Sequence, residues 1–199
     1  HSSKYLPMDI GYAWTYAADS VAFYGDALLL QDTFRYQVRQ TIINKDLDSN
    51  GLGTYFYLRE YRANDSSSWQ FQRNFSETIN KTGGLRKEAD LMRVFIQLPI
   101  LEYDDWDSNL YSTKDEDYSF YESVHQPFTV GTTAYDSSIA IKLEQKDYTT
   151  EREYTRMIYA AHVGLVQYEY EDLVGLSPIS MKKAYGTSYR MKLLNFEKN

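Results

Sequence analysis

The stretch "TFRYQVRQTII", residues 33–43, alternates apolar and polar side chains with a period of two. Phe34, Tyr36 and Val38 are expected on one face, and the arginine and glutamine side chains between them on the other. A strand with one apolar and one polar face is typical of an antiparallel sheet that has one side towards water. This stretch therefore predicts an antiparallel β-sheet.

The same alternation recurs in "WQFQRNF" (69–75), "SIAIKLEQ" (138–145) and "VGLVQYEYED" (163–172). In the first of these, Trp69, Phe71 and Phe75 are expected to share a face. Weaker patterns predict further strands near 13–24, 54–62, 92–98, 118–124, 153–160 and 188–196. Short polar turns separate most of these runs, which favours an antiparallel meander. The sequence thus predicts an all-β fold of about ten strands, in a curved sheet that closes partly into a barrel or sandwich.

Length and composition fit one domain of this class. The chain has 199 residues, enough for one sizeable core, and it contains 20 Tyr, 9 Phe and 3 Trp. Aromatic side chains favour pleated, half-buried surfaces over helix interiors. We expect residues 1–4 to be a linker stub and residues 5–199 to form a single all-β domain.

Charge and missing motifs exclude several classes of function. Lys and Arg total 21 against 28 Asp and Glu, a net charge of −7, which argues against a basic face for nucleic acid. The absence of cysteine excludes disulfides, thiolate catalysis and cysteine-based zinc sites. The sequence has no Gly-x-Ser-x-Gly elbow, P-loop or G-x-G-x-x-G motif. We therefore predict no catalytic residue, and a binding domain rather than an enzyme.

One turn has the composition of a cation site. In "DLDSNG", residues 46–51, Asp46, Asp48 and Asn50 place oxygen atoms at alternate positions before a glycine, as in the first half of a calcium loop. Tyr57 stands where an EF-hand loop has its bidentate glutamate. The preferred interpretation is a polar hairpin turn, with calcium as the alternative and no other cofactor expected.

A long acidic segment, residues 102–117, offers a second alternative. Its carboxylates are Glu102, Asp104, Asp105, Asp107, Asp115, Glu116 and Asp117. Paired carboxylates can hydrolyse glycosides when their separation is suitable. A solvated loop is the preferred interpretation, and a hydrolase that uses these side chains stays open as an alternative.

Several motifs, taken in order, carry a resemblance to a known family. They are Tyr5-Leu6-Pro7-Met8, Gly11, Trp14-Thr15-Tyr16, the stretches Phe34–Tyr61, Trp69–Phe75 and Met92–Pro99, Trp106-Asp107-Ser108-Asn109 and Val163-Gly164-Leu165-Val166. In these the chain resembles a family of functionally uncharacterised small lipoproteins of Bacteroidetes-type bacteria. His162 departs from the family pattern, which has a glycine there. Trp14 and Tyr16 are expected to seat the start of the domain in its core.

The resemblance implies an exported protein that is anchored through a lipidated cysteine upstream of His1, so that the membrane is reached only through the anchor. The expected location is the cell envelope, as an outer-membrane lipoprotein facing the periplasm or the cell surface. The expected role is binding or scaffolding, with a protein, a glycan or an apolar ligand as partner. Since a curved tyrosine-rich sheet can close around a ligand, a lipocalin-like carrier of an apolar ligand is the alternative.

Overall fold

The computed structural model describes residues 2–25, 31–148, 150–175 and 184–198. A short 3-10 turn, Ser2–Tyr5, precedes twelve strands. In chain order these are β1 (Ala13–Tyr24), β2 (Gln31–Leu47), β3 (Gly53–Arg62), β4 (Gln70–Ile79), β5 (Gly83–Glu88), β6 (Leu91–Gln97), β7 (Asp105–Asp107), β8 (Tyr118–Val130), β9 (Thr133–Asp147), β10 (Glu151–Ala160), β11 (Gly164–Val174) and β12 (Tyr185–Glu197). No helix among the described residues is long and apolar enough to cross a membrane.

All the strands belong to one antiparallel sheet, in the order β6-β5-β4-β3-β2-β1-β12-β11-β10-β9-β8-β7. Neighbours in the sheet are neighbours in sequence, except that β1 pairs with β12. In that pair Ala13 lies opposite Glu197, so the two ends of the chain meet in the middle of the sheet. The sheet therefore consists of two meanders joined by the first and last strands.

The two free edges of the sheet, β6 and β7, also approach each other. The N–H of Val94 in β6 donates to the carbonyl oxygen of Ser108, just after β7, at 2.9 Å. The indole Nε1 of Trp106 donates to the carbonyl oxygen of Val94 at 3.0 Å. These bonds leave the sheet nearly closed as a barrel, which confirms the predicted all-β, partly closed architecture.

The strand count and one face differ from the prediction. Strand β5 forms a hairpin with β6, and β7 lies in the acidic segment that was expected to be only a loop. Phe71 is 63% exposed whereas Phe75 is buried, although alternation placed them on one face. The register between β3 and β4 shifts near Phe71, and such a bulge reverses the alternation beyond it.

One end of the barrel is filled by the N-terminal segment, and we call it the closed end. The carbonyl oxygen of Lys4 accepts from the N–H of His162 at 2.6 Å, and Tyr5 is fully buried. The indole Nε1 of Trp14 donates to the carbonyl oxygen of Val163 at 2.6 Å. Trp14 is 5% exposed, which confirms its predicted burial.

Candidate ligand-binding site

The opposite end of the barrel, which we call the open end, lies where β3 ends, β5 turns into β6 and β10 begins. A half-enclosed cavity of about 300 Å3 lies inside the barrel towards this end. Side chains of β5, β6, β8, β9, β10 and β11 line it, together with Ser108. Six strands that would otherwise pack against one another therefore surround an internal space.

The apolar part of the lining comes from Leu91, Val94, Phe95, Leu143 and Met157. Small hydroxyl side chains, including Ser119 and Thr155, face the same space. Larger side chains at these positions would fill the cavity. The cavity is at the lower end of the range of about 300–1,000 Å3 that is typical of ligand pockets. It is thus large enough for a small molecule.

A buried polar network separates this cavity from the closed end. Arg86 donates from Nε to the Oε1 atom of Glu77 at 2.8 Å, and Tyr57 donates from its hydroxyl to Oε2 of Glu77 at 2.9 Å. Burial disfavours the charge of Arg86, but the carboxylate of Glu77 raises the pKa of Arg86 above its ordinary value. Both carboxylate oxygens of Glu77 are therefore engaged, one by Arg86 and the other by Tyr57.

A second carboxylate in the barrel is also engaged. Oε1 of Glu88 accepts from Nη1 of Arg59 and from Nη1 of Arg73, both at 2.8 Å. The guanidinium of Arg59 also lies 4.7 Å above the centre of the Phe75 ring. Burial lowers the pKa of Arg59 from its usual value, and the charge of Glu88 opposes that effect.

Arg93 differs from these arginines. It lies directly opposite Arg86 in the β5–β6 register, so both side chains face the barrel interior. The Nε atom of Arg93 is buried and has no hydrogen-bond partner among the described residues. A buried, unpaired donor is uncommon in proteins and calls for an explanation.

Aromatic side chains surround the opening of the barrel. By register, the inner face at this end carries Tyr24, Phe34, Tyr36, Tyr61, Tyr170, Tyr185 and Tyr189. Phe34 is 54% exposed and Tyr185 is 53% exposed, so several of these rings remain open to solvent. The high tyrosine content of the sequence is therefore used partly at the mouth of the cavity.

The predicted cation-site residues lie at the closed end, in and next to the turn between β2 and β3. Oδ1 of Asp48 accepts from the N–H groups of Leu52 at 3.0 Å and Asn50 at 2.8 Å, which lowers the pKa of Asp48. Asp46 is paired with Thr54 within the strands. No group of three or more His, Cys, Asp or Glu side chains that could hold a metal ion occurs in the part of the chain that the structure describes. Calcium binding at this turn stays a prediction.

The acidic segment is divided by strand β7. On one side, the carbonyl oxygen of Asp104 accepts from the N–H of Tyr121 at 3.2 Å. On the other side, Oδ1 of Asp107 accepts from the N–H groups of Asn109 and Asp117, both at 2.9 Å. Asp107 thus holds the backbone of its own loop, while Asp115, Glu116 and Asp117 line a shallow pocket on the surface. A hydrolase that uses these carboxylates stays a prediction.

Sequence reasoning missed the cavity and its arginines. The sequence pattern predicted a strand near 92–98 but none over β5, so the inward direction of Arg86 and its pairing with Arg93 were not predicted. The available signal was the spacing of these residues. Arg86 and Glu88 are two apart in one strand, and Leu91 and Arg93 are two apart in the next, so each pair shares a face of its strand. This spacing places charged groups at the positions that face the interior.

No protein-family model and no curated protein matches the chain. Two solved structures share its fold. A "putative exported protein with YMCC-like fold" from Bacteroides fragilis NCTC 9343 aligns with a TM-score of 0.56 and 10% identity, over 96% of this chain and 98% of its own. A "putative lipoprotein" from Parabacteroides distasonis ATCC 8503 aligns with a TM-score of 0.51 and 10% identity, over 97% and 98%. At this identity the likeness shows a common fold.

Proposed function

We propose that the protein is a non-enzymatic binding domain of the bacterial cell envelope, which holds a small amphipathic ligand inside its barrel. The observation that carries this proposal is the cavity of about 300 Å3, closed towards the N-terminal segment and bordered by aromatic rings at the other end. Ligand pockets combine an apolar lining with a few polar groups that orient the ligand, as this cavity does.

The polar groups of the cavity favour binding over catalysis. The hydroxyl oxygens of Ser108 and Ser119 lie 2.6 Å apart and bond to each other. His125 and His162, the histidines with described side chains, lie on the turn-side half of β8 and next to the N-terminal segment, away from these serines. A serine nucleophile needs a base within hydrogen-bonding reach, and the described lining offers no histidine for that role.

A neutral fluorescent probe of ten carbon atoms, 1-naphthylamine, tests the proposal, because its size matches the cavity. We expect saturable fluorescence enhancement with the native protein. Leu143→Trp should abolish it, because the larger side chain fills the cavity. Leu194→Trp is the matched control, since Leu194 is 57% exposed on β12. Circular dichroism checks that both variants fold, and probe binding that is absent from the native protein or unaffected by Leu143→Trp contradicts the proposal.

The envelope location is a separate part of the proposal. It is supported by the resemblance of the motifs in the sequence and by the fold shared with two proteins described as exported or as a lipoprotein. We expect the full-length precursor to be lipidated on a cysteine upstream of His1 and recovered in the outer-membrane fraction. Recovery of the precursor only in the cytosol contradicts this part.

A further inference from the structure

The guanidinium groups beside the cavity are not equally partnered. Arg59, Arg86 and Arg93 are buried or half-buried and line or adjoin the cavity. Glu77 binds Arg86, and Glu88 binds Arg59 as well as Arg73. One of the three guanidinium groups therefore remains without an ion-pair partner among the described side chains.

The remaining cation is Arg93. Its Nε is buried without a hydrogen-bond partner, and no described carboxylate forms an ion pair with it. It also lies opposite Arg86 in the register, an arrangement of like charges that is destabilising in an antiparallel pair. Both features lower stability, and an anion beside Arg93 would offset both.

The groups around Arg93 suit an oxyanion. A guanidinium binds a carboxylate through two parallel N–H···O bonds. Tyr168 and Thr155 line the same cavity and can add hydroxyl donors. Burial raises the pKa of Tyr168, so its hydroxyl keeps its proton at neutral pH and can donate.

The remainder of the cavity sets the size and polarity of the ligand. Leu91, Phe95, Leu143 and Met157 offer an apolar surface to the part of the ligand beyond its charged group. A dry cavity of about 150 Å3 holds benzene, with six carbon atoms, so about 300 Å3 holds roughly ten to twelve. Resting on the proposed function, we infer that the ligand is a monocarboxylate with an apolar body of about ten carbon atoms.

Three probes of equal chain length test this inference: decanoate, 1-decanol and decyltrimethylammonium. Binding is followed at pH 8 through the 13C-methyl signal of Met157, which lines the cavity and is one of five methionines. We expect decanoate to bind at least about tenfold more tightly than decanol, the discrimination that a charged hydrogen bond typically gives. Decyltrimethylammonium should bind more weakly than either.

Arg93→Gln should reduce the preference for decanoate over decanol to less than about threefold. Arg35→Gln makes the same charge change on a side chain that is 82% exposed, and it should keep the preference. The native protein supplies the primary comparison, so the test does not depend on the folding of the Arg93 variant.

The outcomes separate this inference from the proposed function. Decanol binding as tightly as decanoate, or a preference that survives Arg93→Gln, overturns the carboxylate while leaving an amphipathic ligand in place. Binding of 1-naphthylamine without any response of Met157 to decanoate also overturns the carboxylate. If neither the neutral fluorescent probe nor any of the three ten-carbon probes binds, the proposed function itself is overturned.

Discussion

The closed and open ends of the barrel are built from the same strands but differ in how completely their side chains are paired. At the closed end, Trp14 stacks on Phe196 at 5.0 Å, and the hydroxyl of Tyr16 donates to the carbonyl oxygen of Leu165 at 3.0 Å. At the open end, Phe34 is exposed and Nε of Arg93 has no partner among the described residues. The contrast predicts that substitutions at the closed end cost more stability than substitutions at the open end, where the proposed ligand would bind.

The largest expected effect is at Trp14. Trp14→Ala should lower the free energy of unfolding by about 3–5 kcal/mol, since it removes a buried ring and its hydrogen bond. Phe34→Ala at the open end should cost less than about 1 kcal/mol, because that ring is 54% exposed. Urea unfolding measures both, and equal losses would remove the contrast between the ends.

Glu77 belongs to the buried polar network that lies between the closed end and the cavity. Glu77→Gln should cost about 3 kcal/mol, because Arg86 would be left buried without its counter-charge. Asp19→Asn is the control: it breaks an ion pair whose side chains are 82% and 54% exposed, and should cost less than about 0.5 kcal/mol. If urea melts of the two variants coincide, water reaches Arg86 and the closed end is shorter than its packing indicates.

His125 should make the closed end sensitive to acid. Tyr5 bridges Nδ1 of His125, at 2.6 Å, and Oγ of Ser137, at 2.7 Å, and Lys4 lies beside them. Burial, and then the charge of Lys4, lower the pKa of His125. Its folded-state pKa is thus below the unfolded value of about 6.5, so its stabilisation is full above that pH and is lost as pH falls through the folded-state pKa.

Melting temperatures between pH 8 and pH 5 measure this effect. The native protein should lose more stability over this interval than His125→Gln, whose side chain does not titrate. The difference between the two proteins cancels the titration of the other groups. A difference that is constant with pH would show that His125 does not couple the N-terminal segment to pH.

A smaller effect is expected at His162, where the resemblance predicted glycine. Its φ of 64° lies in the left-handed region, which costs an ordinary residue roughly 1–2 kcal/mol. His162→Gly should therefore raise stability by about 0.5–1 kcal/mol after the added flexibility of the unfolded chain is deducted. Ala89→Gly is the matched variant, because Ala89 also has a positive φ, 54°, but lies at the open end, away from the N-terminal contacts. A loss of stability in the first variant alone would show that the His162 side chain contributes to packing.

The smallest expected effect concerns calcium at the turn around Asp48. We expect thermal melts in EDTA and in 1 mM calcium to coincide, because the turn uses Oδ1 of Asp48 for its own N–H groups. A rise of roughly 5–10 °C in calcium, lost in Asp48→Ala, would instead indicate a site with a dissociation constant near 10 μM. Such a site would add a ligand-dependent element to the closed end.

The sequence allowed the strands to be predicted because alternation is local. The burial of Trp14 followed from its place in the opening motif. The exposure of Phe71 could not be predicted, since it depends on a bulge set by pairing with β3. The pairs Glu77–Arg86 and Arg59–Glu88 join residues on different strands, so the cavity they border required the register of the whole sheet.

The attachment of the N-terminal segment to the closed end also fixes a direction. Lys4 is held to the turn after β10, so any chain that precedes it leaves the barrel on the side opposite the opening. With a lipid tether upstream, the mouth would lie on the side of the domain away from the point of attachment. In that orientation a ligand would enter from the surrounding aqueous space. Direct transfer from the membrane would require the domain to rotate until its mouth faces the bilayer.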